Sequence, residues 1–357
     1  MTNHLIELHF DSSPLGGVTL DGLLAEFDRL DQLLSKEQEN FGALIVRSGN
    51  EWLERSKSKP VPKKLFDCLW FEGEICILFA SSNQGKSILA VQIADAISKG
   101  RPIPGFRLEA DTQPVLYADF EMSEKQFEIR YGDGEGNFYR WSNDFMRAEL
   151  NPEADLPKGY TNFEDYVIDC IEQFIVQTRT RILVIDNLTY LATNTETAKE
   201  AAPLMKKLKQ LKTKYDLSLL VLAHTPKRDS SKPLTQNDLQ GSSRLIQFCD
   251  SCIAIGSSVQ GSDVKYLKQL KARNTAYEYD EDNVVICQIK KTDGFLHFER
   301  IGNGKERDHL RTAFEEKNVQ RTEVMSLAAQ GMTQRDIALT IGRSASFVNR
   351  LLKAQST

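Results

Sequence analysis

The chain predicts an α/β fold built on a mostly parallel central sheet, followed by a small all-helical unit. Between about Leu65 and Ile301 short apolar runs alternate with amphipathic helical stretches, the pattern of strands joined by crossover helices. One run, "EICILF", passes directly into "ASSNQGKS" and then into the apolar-faced "SILAVQIADAIS", a strand–loop–helix order. Residues 320–357 read as three short helices separated by "GMT" and "IGRS".

The 357 residues suffice for one large domain and a small one. A hydrophobic share of 41% with 27% charged residues fits an ordinary globular protein rather than a fibrous or disordered one. No apolar run approaches the ~18 residues that cross a bilayer. The stretch "MTNHLIELHF" lacks the basic region and apolar core of a secretory leader. The expectation is a cytoplasmic protein with no membrane partner. Six cysteines are scattered, and Cys249 and Cys252 form a lone C-x-x-C without a second pair or matching histidines. Their context "FCDSCIAI" reads as a helix end entering an apolar strand, so reduced, buried thiols are expected. The net charge of −5 excludes a surface coated in positive charge, while leaving basic loops free to meet nucleic acid.

Taken in order, residues 1–55 contain "LDGLLAEFDRLDQLLSKEQ", whose leucines recur at helical spacing. Residues 56–64 form a linker rich in Ser, Pro and Lys. The core, 65–303, carries the runs "EICILF", "PVLYAD", "RILVID", "LSLLVLA" and "SCIAIG" as strands. "VKYLKQLKA", "NVVICQIKK" and "FLHFERI" read as a meander closing the sheet. The polar, glycine-rich and aromatic "YGDGEGNFYRWSND" reads as a surface insertion within 132–162. A charged linker, 304–319, precedes the helical unit, 320–357.

The loop Ala80, Ser81, Ser82, Asn83, Gln84, Gly85, Lys86, Ser87 has the context that a phosphate cradle requires. Backbone N–H groups and the helix dipole attract an anion. Lys86 is placed to reach the β- and γ-phosphates of ATP, and the Ser87 hydroxyl to ligate Mg²⁺. Gly85 lets backbone approach the phosphates without a Cβ. Ala80 stands where glycine is usual, which is tolerable if its φ stays negative. "RILVID" ends in Asp186, suited to the magnesium shell. "VLYADFEMS" sets Glu121 just past a strand tip, where a carboxylate polarises attacking water or simply lies in a solvated helix start. "LSLLVLAHTPK" puts His224 at a further strand end, as a γ-phosphate sensor or a structural histidine.

Together these residues resemble the RecA-like ATPases, specifically the branch of hexameric replicative helicases and plasmid RepA-type helicases, over roughly residues 60–300. The resemblance implies a RecA-like P-loop NTPase core. "FEMS" looks like the family's strand-end motif, implying Glu121 as catalytic base. "VLAHTPK" is similar to the motif after the fourth core strand, which supports His224 as phosphate sensor. "LKARN" resembles a Lys-x-Arg motif, implying that Lys271 and Arg273 reach a neighbouring subunit's γ-phosphate. A trans-acting Arg273 means a ring or filament, and the resemblance to the family implies a hexamer. The alternative is a solvated basic strand edge.

The polar stretch "TPKRDSSKPLTQNDLQ" corresponds to loops that face the channel of such motors, making Lys227, Arg228 and Lys232 candidates for single-stranded DNA. "GSSRL" after it is similar to a Gly-Ser-Ser element of RepA-type helicases. In the tail, Thr333 and Ser344 are placed to cap helices, and Gly331 and Gly342 to end them, giving helix-turn-helix spacing. The tail resembles trihelical DNA-binding modules of bacterial regulators and resolvases. From Arg321 onward five basic and two acidic residues leave it net +3. Its last helix would bring Ser344, Ser346, Asn349 and Arg350 to duplex DNA, unless the unit docks protein instead. The functional expectation is an ATP-driven, ring-forming DNA motor of a plasmid, phage or integrated element. Its rivals are a DNA-binding ATPase that loads or regulates another machine, and a nucleotide-switched transcription regulator.

Overall fold

The computed structural model describes residues 21–22, 24–29, 40–188, 198–225, 228–239 and 242–353. It divides into two compact units, Met1–Val61 and Pro62–Thr357. In the first, residues 21–22 and 24–29 are helical, within the leucine-rich stretch; the remainder of that stretch lies outside the described residues. A hairpin of β1 (Asn40–Phe41) and β2 (Leu44–Ile45) follows. Helix α1 (Gly49–Lys57) starts at a capping box in which Ser48 and Glu51 satisfy each other's backbone N–H groups.

The second unit opens with a short pair, β3 (Lys64–Phe66) and β4 (Trp70–Phe71). Its main sheet, among the described residues, has nine strands in the order β13-β12-β11-β10-β5-β9-β8-β6-β7. The parallel strands are β5 (Ile75–Ala80), β6 (Val115–Asp119), β7 (Phe145–Ala148), β8 (Ile182–Asp186), β9 (Ser218–His224) and β10 (Ser251–Ser258). The antiparallel extension is β11 (Gly261–Lys271), β12 (Val284–Thr292) and β13 (Phe295–Gly304), the expected meander.

Every residue of β5 is buried because both sheet faces are covered. Cys76, Leu78 and Ala80 point to one face, where α2 (Lys86–Lys99) packs through Leu89, Ile93 and Ile97. Ile75, Ile77 and Phe79 point to the other, against α4 (Phe163–Thr178) and α5 (Ala198–Tyr215). The run alternates in direction without alternating in polarity, as two-sided burial requires. No described helix is long and apolar enough to cross a membrane.

The insertion departs from a purely surface segment. After α3 (Glu124–Tyr131), residues 133–138 are exposed, but Tyr131, Tyr139 and Trp141 cluster on Phe295 of β13, with centroids 4.2–5.9 Å from its ring. The aromatics that look like loop decoration are apolar mass closing one face of the sheet. Cys249 and Cys252 are buried free thiols, Cys249 just past α6 (Ser242–Phe248) and Cys252 within β10.

The expected linker at 304–319 is largely structured. Glu306 is 1% exposed and receives Lys268 Nζ at 2.6 Å, Tyr266 Oη at 3.0 Å and the Leu234 amide at 2.7 Å. Lys268 Nζ also donates to Leu234 O at 3.0 Å, so a buried ion pair pins the 228–239 loop to this segment. Glu306→Ala should lower the unfolding free energy by about 3–5 kcal/mol, because it strands a buried ammonium. Urea unfolding checks this, and a loss under about 1 kcal/mol would show that water reaches Lys268.

Helix α7 (Ala313–Ala329) begins earlier than the charged composition suggests, because Thr312 and Glu315 form a capping box. Together with α8 (Gln334–Ile341) and α9 (Ala345–Lys353) it encloses a core of Val324, Ile337, Ala338, Ile341, Val348 and Leu351. Thr333 Oγ1 accepts the Asp336 amide and Ser344 Oγ accepts the Phe347 amide, the expected caps. Gly342 ends α8 in the left-handed region.

Candidate active site

Strand register brings the carboxyl ends of β5, β9, β8 and β6 to one edge. Ala80 pairs with His224, and Asp119 pairs with Asp186. This is the edge at which parallel α/β sheets bind ligands.

Ala80 is the last residue of β5 and keeps strand backbone, so its methyl is accommodated where glycine is usual. Gly85 is different. Its φ is +90°, and an added Cβ would lie 2.9 Å from the Phe298 ring. The loop therefore needs glycine at position 85 but not at position 80. Asn83 also adopts positive φ, a conformation that asparagine tolerates. Ser81 Oγ shares a hydrogen bond with Thr225 Oγ1 at 2.9 Å, tying the loop to the end of β9.

Lys86 is 6% exposed. Its Nζ donates to Ala80 O at 3.2 Å, to Ser81 O at 3.5 Å and to His224 Nδ1 at 3.2 Å. Burial lowers its pKa, opposed by the negative charges of Asp186 and Glu121. In the tautomer where Nδ1 accepts from Lys86, the proton sits on Nε2 and faces Glu121 Oε1 at 3.2 Å, while Asn187 Nδ2 lies 3.0 Å from the same nitrogen. That hydrogen bond is the largest influence holding the Glu121 carboxyl below its ordinary value, with His224, Lys86 and Asn187 adding to it against partial burial. The result is a continuous chain from Lys86 through His224 to an ionised Glu121.

Asp119, next door, takes no part in that chain. Its Oδ1 accepts the amides of Glu121 and Met122, at 3.2 and 2.9 Å, and its Oδ2 accepts Arg147 Nε at 2.9 Å. This clip fixes the turn on which Glu121 is displayed.

Asp186 is buried at the tip of β8. Burial pushes its pKa up to about 6, although hydrogen bonds from Ser87 and Tyr117 oppose the rise. Tyr117 Oη donates to Oδ2 at 2.7 Å, while Oδ1 is buried without a hydrogen-bond partner. A buried, unsatisfied carboxylate oxygen beside a hydroxyl is a hard-donor pair that fits a divalent cation such as Mg²⁺. Ser87 and Asp186 are the residues that would hold it.

The other candidates lie elsewhere. Lys271 Nζ caps α6, donating to Cys249 O at 2.8 Å and to Ile246 O. Arg273, half-exposed, pairs with Asp250 at 2.8 Å. Asp250 also receives the Ile75 amide at the amino end of β5, so Arg273 sits roughly 17 Å along the strand from the chain's own phosphate loop. Arg228 is committed to Asp238 at 3.2 Å and to Pro233 O at 2.9 Å. Lys232 is exposed. Lys227 and Gly241 lie outside the described residues, as do the Gly-Ser-Ser side chains. Ser346 and Arg350 are exposed on α9 with Asn349 half-buried beside them, opposite Val348 and Leu351.

Sequence reasoning missed Asn187, whose Nδ2 donates to Glu121 Oε1; its place directly after Asp186 was the available signal. It also missed Arg147 and Thr225, whose partners lie 25–28 and 144 residues away. No match to a curated protein was found. A family model described as an AAA domain matches residues 47–230, a span that takes in the phosphate loop, Glu121, Asp186 and His224. The chain therefore belongs to this AAA-domain family of P-loop ATPase type.

Proposed function

We propose that the protein is an ATP-hydrolysing, DNA-binding ring motor of the RepA-like helicase type, with a helix-turn-helix tail acting on duplex DNA of a plasmid, phage or integrated element. The observation that carries this is the Lys86–His224–Glu121 chain at the mouth of the phosphate loop. Glu121 accepts a proton from the attacking water as general base. Lys86 answers the charge on the β- and γ-phosphates, and His224 reports that charge to Glu121 through its two ring nitrogens. Bound Mg²⁺ supplies further neutralisation of the phosphates.

Arg273 is too far from its own loop to act in cis, which supports a role at a neighbour's γ-phosphate. Arg273→Ala should bind ATP nearly normally and lose about 10³-fold or more in turnover, the scale of an arginine finger. Mixed with Lys86→Ala protein, it should regain activity, since intact loops then meet intact fingers. Unchanged turnover in Arg273→Ala, or no recovery in assembled mixtures, would remove the finger.

A second reading, an ATPase that loads or regulates another machine, gains from Arg228 being held within its own loop. ATPase rate with and without single-stranded DNA, beside a fork-unwinding assay, separates the two. Stimulation with unwinding supports the motor; stimulation without unwinding supports the loader. Indifference to single strands, with binding to one duplex, supports a regulator.

A further inference from the structure

We propose that Arg343, on the turn between α8 and α9, is a ligand in cis for the γ-phosphate of nucleotide held in the phosphate loop, so that the C-terminal module reads nucleotide state. This rests on the ATP-site reading above. A cavity of about 390 Å³ runs between loop residues Ser81 and Ser82, Thr225 just past His224, and Arg311 and Arg343 of the C-terminal segment. It is more than ten times the ~30 Å³ that one water occupies in the liquid, ample for a phosphate and its hydration.

Its charges single out one arginine. Glu316 and Glu323 also line the cavity. Arg311 is neutralised by Glu316 at 3.1 Å, and Arg228 by Asp238 at 3.2 Å. Arg343 forms no ion pair with a described residue, although its charge reaches Asp229 of the neighbouring loop; its guanidinium lies 5.7 Å from the Phe347 ring centroid. An exposed guanidinium beside a phosphate loop has the charge and the planar donor fork to clasp a terminal phosphate. ADP lacks that group, so the contact discriminates triphosphate from diphosphate.

The module is held close enough for this by its own backbone. The Arg311 amide donates to Ser230 O at 3.2 Å, so the segment entering α7 is joined to the loop that follows His224. A DNA phosphate is the rival ligand, because Arg343 stands one residue before the Ser344 cap of α9.

The test is calorimetric titration of full-length protein with ATPγS and with ADP, each with Mg²⁺. Arg343→Ala should weaken ATPγS about tenfold or more while leaving ADP within about twofold, the difference expected for one charge-assisted contact. Arg343→Lys should recover part of the loss, and Arg335→Ala, an exposed arginine outside the cavity, should leave the ratio unchanged. The loss should persist on dilution, since loop and arginine belong to one chain. An unchanged ATPγS-to-ADP ratio with weakened duplex binding would assign Arg343 to DNA and overturn the inference alone. A ratio change seen only at assembling concentrations would overturn the cis assignment. Wild-type protein without nucleotide affinity would overturn the ATP-site reading and this inference with it.

Discussion

Lys86→Ala protein should hydrolyse no ATP above background and bind nucleotide weakly, while melting at or above the wild-type temperature. Both halves follow from one observation. The ammonium is buried among Ala80 O, Ser81 O and His224 Nδ1, and burial lowers its pKa, so the empty loop gains little from the charge. Its return comes when phosphates arrive, because no other described cation stands within the loop. Steady-state turnover and thermal melting, measured on the same preparation, check the pair. Normal turnover would remove the phosphate-loop assignment; a large drop in melting temperature would mean that lost activity reports lost structure.

Glu121→Gln should bind MgATP almost normally and turn over about 10²–10⁴-fold more slowly, the range for losing a general base. The substitution is nearly isosteric. Glutamine keeps an oxygen able to accept from Asn187 and His224, and the Asp119–Arg147 clip beneath the turn is untouched. Only the capacity to take a proton disappears. Single-turnover hydrolysis with a separate binding titration distinguishes the cases: parallel losses in affinity and rate would make Glu121 a structural member of the turn.

The parts of this molecule set by local rules could be read from its sequence. The five parallel runs and the three-strand meander follow from apolar patterning, and Thr333 and Ser344 cap the helices expected of them. Ala80 could be judged tolerable because its constraint is a single backbone angle. What escaped reading depends on partners far apart in the chain. Lys271 shows its charge in the sequence but not its intrachain partners, the Ile246 and Cys249 carbonyls at the end of α6. The charged 304–319 stretch looked like a linker because Glu306 owes its burial to Lys268, 38 residues upstream. Tyr139 and Trp141 looked solvent-facing because Phe295 of β13, more than 150 residues later, supplies their packing.

The ion pair beneath the 228–239 loop has a mechanical meaning. Leu234 gives its amide to Glu306 and its carbonyl to Lys268, and Ser230 holds the Arg311 amide. Residues 230–234 are thus held to the segment that enters α7 directly through Ser230 O and the Leu234 amide, and by way of Lys268 of β11 at the Leu234 carbonyl. By linkage, a ligand on the C-terminal helices that strains the Ser230–Arg311 and Leu234–Glu306–Lys268 contacts, and one that strains them from the 228–239 side, must influence each other equally.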